Sequence, residues 1–137
     1  MFFKIISAGT SGIEGYIVEV EADMTKGLPG FSLVGLPNAA VKESKERIKS
    51  AVCNSGFRYP NKKIIVNLSP ADIKKEGSHY DLAIALAILR EVENIAEEKF
   101  EDIAFIGELS LDGKLKPIKA CTALILGLLK NSKIKKV

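Results

Sequence analysis

The stretch Lys62–Leu89, KKIIVNLSPADIKKEGSHYDLAIALAIL, decides the fold. Lys63 to Leu68 is rich in β-branched residues and reads as a strand. Pro70 ends it, since proline has no N–H to give to a ladder. Ala71 to Gly77 is a polar loop. Asp81 then reads as the cap of a nearly all-apolar helix, Leu82 to Leu89. Such a helix has no polar face to turn to water, so it must be buried on most sides. Strand, polar loop and buried helix in succession predict an α/β (α+β) domain.

Reading outward toward the N-terminus, Phe3, Ile5 and Ser7 open a strand. Tyr16, Val18 and Val20 alternate with Ile17, Glu19 and Glu21, the period-two pattern of a half-buried strand. Asp23 to Gly30 is a loop and Phe31 to Gly35 a short apolar strand. Pro37 and Asn38 open a helix to about Ser55, with Asn38 as N-cap. Val41, Ile48, Ala51 and Val52 form its buried stripe, and Glu43 faces Arg47 one turn on. Gly56 stops it. Reading toward the C-terminus, the acid-rich segment from Glu91 to Asp102 is a helix end and exposed loop. Ile103 to Ile106 is a strand. Asp112-Gly113 signals a type I′ turn, and Lys114 and Lys116 alternate with Leu115 on the return strand. Ile118 to Leu129 is a third apolar helix. Ile134 to Val137 reads as the first half of a strand, so the chain is expected to be cut from a longer one.

Hydrophobic residues make up 47% of the 137 residues and charged residues 27%, which excludes a disordered chain. The length suits one domain, 1–137. No apolar run approaches the roughly 20 residues of a membrane span, and the start lacks the features of a signal peptide. A cytoplasmic domain is expected, with Cys53 and Cys121 as reduced core thiols. The net charge of +3 is unevenly placed: residues 1–112 carry −4 and residues 113–137 carry +7. A basic end can be a nucleic-acid tail. In place, Lys114 and Lys116 form a solvated strand face, and Lys130 and Lys133 suit a helix C-terminus.

Little in the residues supports catalysis. His79 is the single histidine, and with two distant thiols it makes no zinc site. Lys75, Glu76, Ser78, His79, Tyr80 and Asp81 form a dense cluster before a helix, a place that suits either anion binding or simple capping. Gly30 to Gly35 has Walker A spacing, but Leu36-Pro37 replaces the lysine and hydroxyl that hold phosphate and Mg²⁺. These glycines are expected to serve turns and strand packing.

Several segments resemble the N-terminal domain of the ComM (YifB) family of magnesium-chelatase-like AAA+ proteins linked to bacterial competence. They include Gly12-Ile13-Glu14-Gly15, Gly27-Leu28-Pro29-Gly30-Phe31, Glu43-Ser44 with Glu46-Arg47, and Asn54-Ser55-Gly56-Phe57. Val66 to Asp72, Lys75-Glu76-Gly77, Tyr80-Asp81-Leu82 and Gly107 to Gly113 continue the series along nearly the whole chain. The resemblance implies a following AAA+ module that binds ATP and Mg²⁺, a hexameric assembly, and DNA branch migration during transformation. The domain is also similar to the proteolytic domain of Lon and the C-terminal domain of the recombination protein RadA. That implies a two-layer mixed sheet with about three helices. On the Lon pattern the catalytic serine falls on His79 and the catalytic lysine on Thr122, so both dyad members are absent and no peptidase activity is expected.

Three functions follow as expectations. The first is a non-catalytic accessory domain of an AAA+ motor, with Arg58, Lys62, Lys63, Lys74, Lys75, Lys114 and Lys116 as candidate DNA or partner contacts. Lysine–phosphate contacts bring affinity without sequence choice. Only Tyr59 and Tyr80 lie near these cations in sequence, so base stacking has little support. The second is a protein-interaction or oligomerisation module with no DNA contact. The third, metal insertion related to chelatase chemistry, finds no porphyrin, metal or cofactor site in these residues.

Overall fold

The computed structural model describes residues 2–131 and 133–137. Four strands form the main sheet: β1 (Phe2–Ser11), β2 (Glu14–Thr25), β3 (Gly30–Val34) and β4 (Lys63–Ser69), in the order β1-β2-β4-β3. β1 and β2 are antiparallel, as are β2 and β4, whereas β3 runs parallel to β4. The sheet is therefore mixed, as the resemblance to the Lon domain implied. Helices α1 (Ala39–Lys42), α2 (Ser44–Asn54), α3 (Asp81–Val92) and α4 (Cys121–Leu129) pack around it.

Period-two geometry assigns the faces. Ile5, Val18, Val20, Ile64, Val66 and Leu68 join α2 and α3 in the main core. Ala8, with half-buried Ile6 and Ile17, points the other way and packs with Leu124 and Leu128 of α4. α4 thus covers the β1–β2 half of the second face, and the β4 side of that face leaves Ile65 exposed.

Most expected elements form, with instructive differences. Asn38 caps as expected, accepting from the Val41 amide at 3.0 Å. The helix it starts is broken at Glu43 into α1 and α2. The expected stripe of Val41, Ile48, Ala51 and Val52 is buried. Ile103 to Ile106 forms single bridges rather than a strand: Ala104 pairs with Ile6 and Ile103 with Lys136, both parallel. Beyond Phe105 the backbone turns away to serve α3, and Gly107 donates to the His79 carbonyl and accepts from the Leu82 amide. Lys136 sits in the segment expected to begin a strand.

The hairpin β5 (Glu108–Leu109) and β6 (Leu115–Lys116) is shorter than expected and its turn is different. The Gly113 amide donates to the Ser110 carbonyl and Gly113 has φ +93°, while Leu111 and Asp112 keep negative φ. That is a turn followed by a left-handed glycine, not a type I′ turn, which needs positive φ at both central residues. α4 begins at Cys121, not Ile118, after a left-handed Ala120. Both cysteines are exposed, which corrects the core-thiol expectation. Cys53 shares the polar face of α2 with Glu46 and Lys49, and Cys121 opens α4 on its outer side. Of the glycines of the Walker-like segment, Gly35 serves packing, since its φ is +99° and a Cβ there would collide with the Leu68 backbone, whereas a Cβ on Gly30 would meet nothing. No helix of the described residues is long and apolar enough to cross a membrane.

Candidate functional site

A cleft of about 530 Å³ opens where β1 ends and α3 begins. Thr10, Ser78, His79, Glu108, Lys119 and Arg47 lie on its walls. The connection between β4 and α3 brings Ser78 and His79 there, and the connection between β6 and α4 brings Lys119.

His79 is buried, and its Nε2 lies 2.8 Å from the Ala8 carbonyl oxygen. A carbonyl can only accept, so Nε2 carries the hydrogen and Nδ1 the lone pair in the neutral ring. Burial pushes the His79 pKa below its ordinary value, partly opposed by the Ala8 bond and the nearby Asp81 carboxylate. The ring also packs against Tyr80, centroids 4.1 Å apart. Thus His79 is a fixed, neutral wall of the cleft, held at its Nε2 edge.

Asp81 does not cap α3; its carboxylate is the hub of a buried network. Ser44 Oγ donates to Oδ1 at 2.6 Å, and Arg47 donates through Nε to Oδ2 at 2.7 Å and through Nη2 to Oδ1 at 3.0 Å. The Leu109 amide adds a bond to Oδ2 at 3.1 Å. One carboxylate therefore ties α2, α3 and the β5 hairpin together. Two-point contact from Arg47 fits the guanidinium fork, and the Asp81 hydrogen bond raises the Arg47 pKa. Glu43 joins Arg47 from the outside at 3.7 Å, the helix pair expected from spacing.

Thr122 lies outside the cleft wall and is exposed on α4. Lys119 is the lysine that reaches the cleft, but it is exposed and makes no hydrogen bond to Ser78. A lysine acting as general base must be neutral, which calls for burial. The cleft therefore brings Ser78, His79 and Lys119 together without a nucleophile–base pair. Among the described residues, no group of three or more His, Cys, Asp or Glu side chains could hold a metal ion.

With this geometry in hand, similarity to known proteins becomes interpretable. The family described as subunit ChlI of Mg-chelatase matches residues 20–137. Protein YifB of Escherichia coli is 46% identical over 107 residues, covering 78% of this chain and 21% of that protein. Competence protein ComM of Haemophilus influenzae is 38% identical over 129 residues, covering 94% of the chain and 25% of that protein. The chain belongs to the Mg-chelatase-like ComM/YifB family. It spans about a quarter of the length of these ComM/YifB relatives. A more distant match, 25% identical over 115 residues, is to a Lon protease of Trichlorobacter lovleyi.

Three of the segments that carried the ComM/YifB resemblance have an architectural part. Ser44, Arg47, Asp81 and Leu109, from these segments, meet in the one network just described. An aspartate opening an otherwise apolar helix run was the signal that could have revealed it.

The expected basic contacts do not gather in one place. Arg58 and Lys62 line one depression, and Lys63, Lys74, Lys114 and Lys116 line neither it nor the His79 cleft. Lys63, Lys114 and Lys116 are exposed, as is Lys74, which lies 3.6 Å from Glu76. Lys62 is bound to Glu91 at 2.5 Å. Lys75 must be struck from the surface set. It is fully buried, donates from Nζ to the Pro70 carbonyl, and its desolvation lowers its pKa. Its backbone clamps the same loop by bonds to Leu36 and Asn38.

A second depression, of about 410 Å³, was not foreseen. It brings Phe31, Lys45, Lys49, Tyr59 and Lys62 together. Phe31 arrives from β3, which pairs in parallel with β4 so that Phe31 stands opposite Ile64. Sequence proximity alone had suggested Tyr59 and Tyr80 as the only rings near the cations, but Tyr80 is buried in the core.

Proposed function

We propose that this chain is a non-catalytic accessory domain of a larger ComM-type protein. Its work is to contact DNA for an ATP- and Mg²⁺-dependent AAA+ motor elsewhere in that protein. The observation that carries the non-catalytic part of this reading is the His79 cleft. It holds the position where the Lon resemblance would put the serine, yet His79 is fixed there to the Ala8 carbonyl, Thr122 at the lysine position lies outside it, and Lys119 stands exposed with no bond to Ser78. The exposed lysines supply the electrostatic means to hold phosphates without sequence choice. A hexameric, cytoplasmic assembly acting in branch migration is the setting that the ComM kinship suggests.

The test compares the whole protein with a version lacking this domain. Deletion should leave basal ATP hydrolysis intact and lower its stimulation by forked DNA several-fold. Unchanged stimulation would contradict the reading. Incubation of the domain with a fluorogenic peptide should give no cleavage; cleavage abolished in Ser78→Ala would overturn the non-catalytic part.

A second reading, an oligomerisation module, is favoured by one observation. The outer side of α4 exposes Ile125, Leu126 and Leu129, the last at 72%. Light scattering after size exclusion discriminates. A strict monomer at high concentration argues against self-assembly through this face.

A further inference from the structure

Two adjoining depressions of about 410 and 350 Å³ share Tyr59, Pro60, Asn61 and Lys62. They form one groove along the end of the sheet where β3 and β4 begin. Lys45 and Lys49, one turn apart on α2, stand on one wall, and Arg58 stands at the far end. Among the described residues, none of these three cations forms an ion pair. Of the two carboxylates lining the groove, Glu91 is held by Lys62 and only Glu46 stands open. Two aromatic residues, Phe31 and Tyr59, lie among the cations, both partly exposed. Lys49 Nζ lies 5.8 Å from the centroid of the Tyr59 ring.

We infer that this groove binds single-stranded nucleic acid. Unpaired cations follow the phosphates, while partly exposed rings offer stacking surfaces to bases, which only an unpaired strand can present. A duplex keeps its bases stacked on each other and gains from the lysines alone. The open surface at Gly30, where an added Cβ would meet nothing, lets a strand approach the groove floor closely. This inference rests on the DNA-contact reading above and gives that contact a location and a preferred form.

The test uses the 137-residue chain and a fluorescein-labelled oligo(dT) of about 16 nucleotides, the upper end of single-strand site sizes. Fluorescence anisotropy is read at low salt for the wild type and for two double variants. Lys45→Glu/Lys49→Glu should weaken oligo(dT) binding at least about tenfold, since each replaced cation both loses a phosphate contact and adds repulsion. Lys133→Glu/Lys135→Glu, exposed beyond α4 and outside the groove, should change it less than about twofold. Both replace exposed residues, and circular dichroism confirms folding. Tyr59→Leu, which keeps the apolar packing, should weaken oligo(dT) by at least about fivefold, the low end of base–aromatic stacking. It should leave blunt duplex binding unchanged. If oligo(dT) binds but Lys45→Glu/Lys49→Glu does not weaken it, the groove is wrong while the DNA-contact reading stands. If Tyr59→Leu weakens neither ligand, the single-strand preference is wrong. If neither DNA binds at low salt, both readings fall.

Discussion

At the scale of single residues, Asp81 carries the largest predicted effect. Its carboxylate is fully buried and takes bonds from Ser44, Arg47 and the Leu109 amide. Asp81→Ala strands the Arg47 guanidinium and the Leu109 N–H together. Breaking a buried pair from one side costs about 3 kcal/mol or more, so urea unfolding should show a loss of that order. A loss below about 0.5 kcal/mol, the ordinary surface range, would show that the network matters little. His79 gives a pH prediction. Its folded-state pKa lies below the ordinary value of about 6.5. Just below that pH the unfolded chain binds a proton that the folded chain refuses, so stability falls as pH drops from about 6.5 toward the folded pKa. Below the folded pKa this contribution becomes flat. His79→Gln should remove that part of the slope in urea midpoints measured against pH; an unchanged slope would assign it to other groups. These residues also mark the reach of sequence reading. The sequence left the cluster around Ser78 and His79 open between anion binding and simple capping, and the structure adds that His79 is held by the Ala8 carbonyl. Lys75 was misjudged because its sequence neighbours are polar, while the fold of the loop around it, through Leu36, Asn38 and Pro70, is a tertiary fact.

At the scale of elements, strands and buried helices were legible because burial imposes a period. Val18, Val20 and Ala22 alternate on β2, and α3 is apolar nearly throughout. Boundaries were less legible where the backbone bonds elsewhere, as at Gly107, or where a residue takes the left-handed region, as at Ala120. The contact of α4 with β2 depends on a feature that no periodicity reveals. Gly127 lies directly against Gly15, and a Cβ on Gly127 would fall inside the Gly15 backbone. Alanine is the better helix former by about 1 kcal/mol, so an isolated-helix view predicts stabilisation by Gly127→Ala. The packed structure predicts the opposite, a net loss of about 2 kcal/mol as α4 is pushed off the sheet. Thermal unfolding of this variant separates the two, and a raised midpoint would mean that α4 sits more loosely than described.

At the scale of the whole molecule, the fold class was readable from the order of elements, and the ComM/YifB kinship from motifs spread along the chain. The groove proposed to bind nucleic acid was not. The parallel pairing of β3 with β4 carries Phe31 to the lysines of α2 and to Tyr59. Nothing between Phe31 and Lys62 in the linear sequence announces that meeting. The uneven charge pointed to the C-terminal lysines, whereas the cations that share a groove with aromatic rings come from α2 and from the segment before β4. The account therefore rests on electrostatic contact with DNA, and the most direct measurement is the anisotropy of labelled forked DNA titrated with this chain across a salt series. Contact by about three free cations predicts binding at low salt whose logarithm falls against the logarithm of salt with a slope of roughly −2 to −3. No anisotropy change at the lowest salt, or an affinity indifferent to salt, would contradict it.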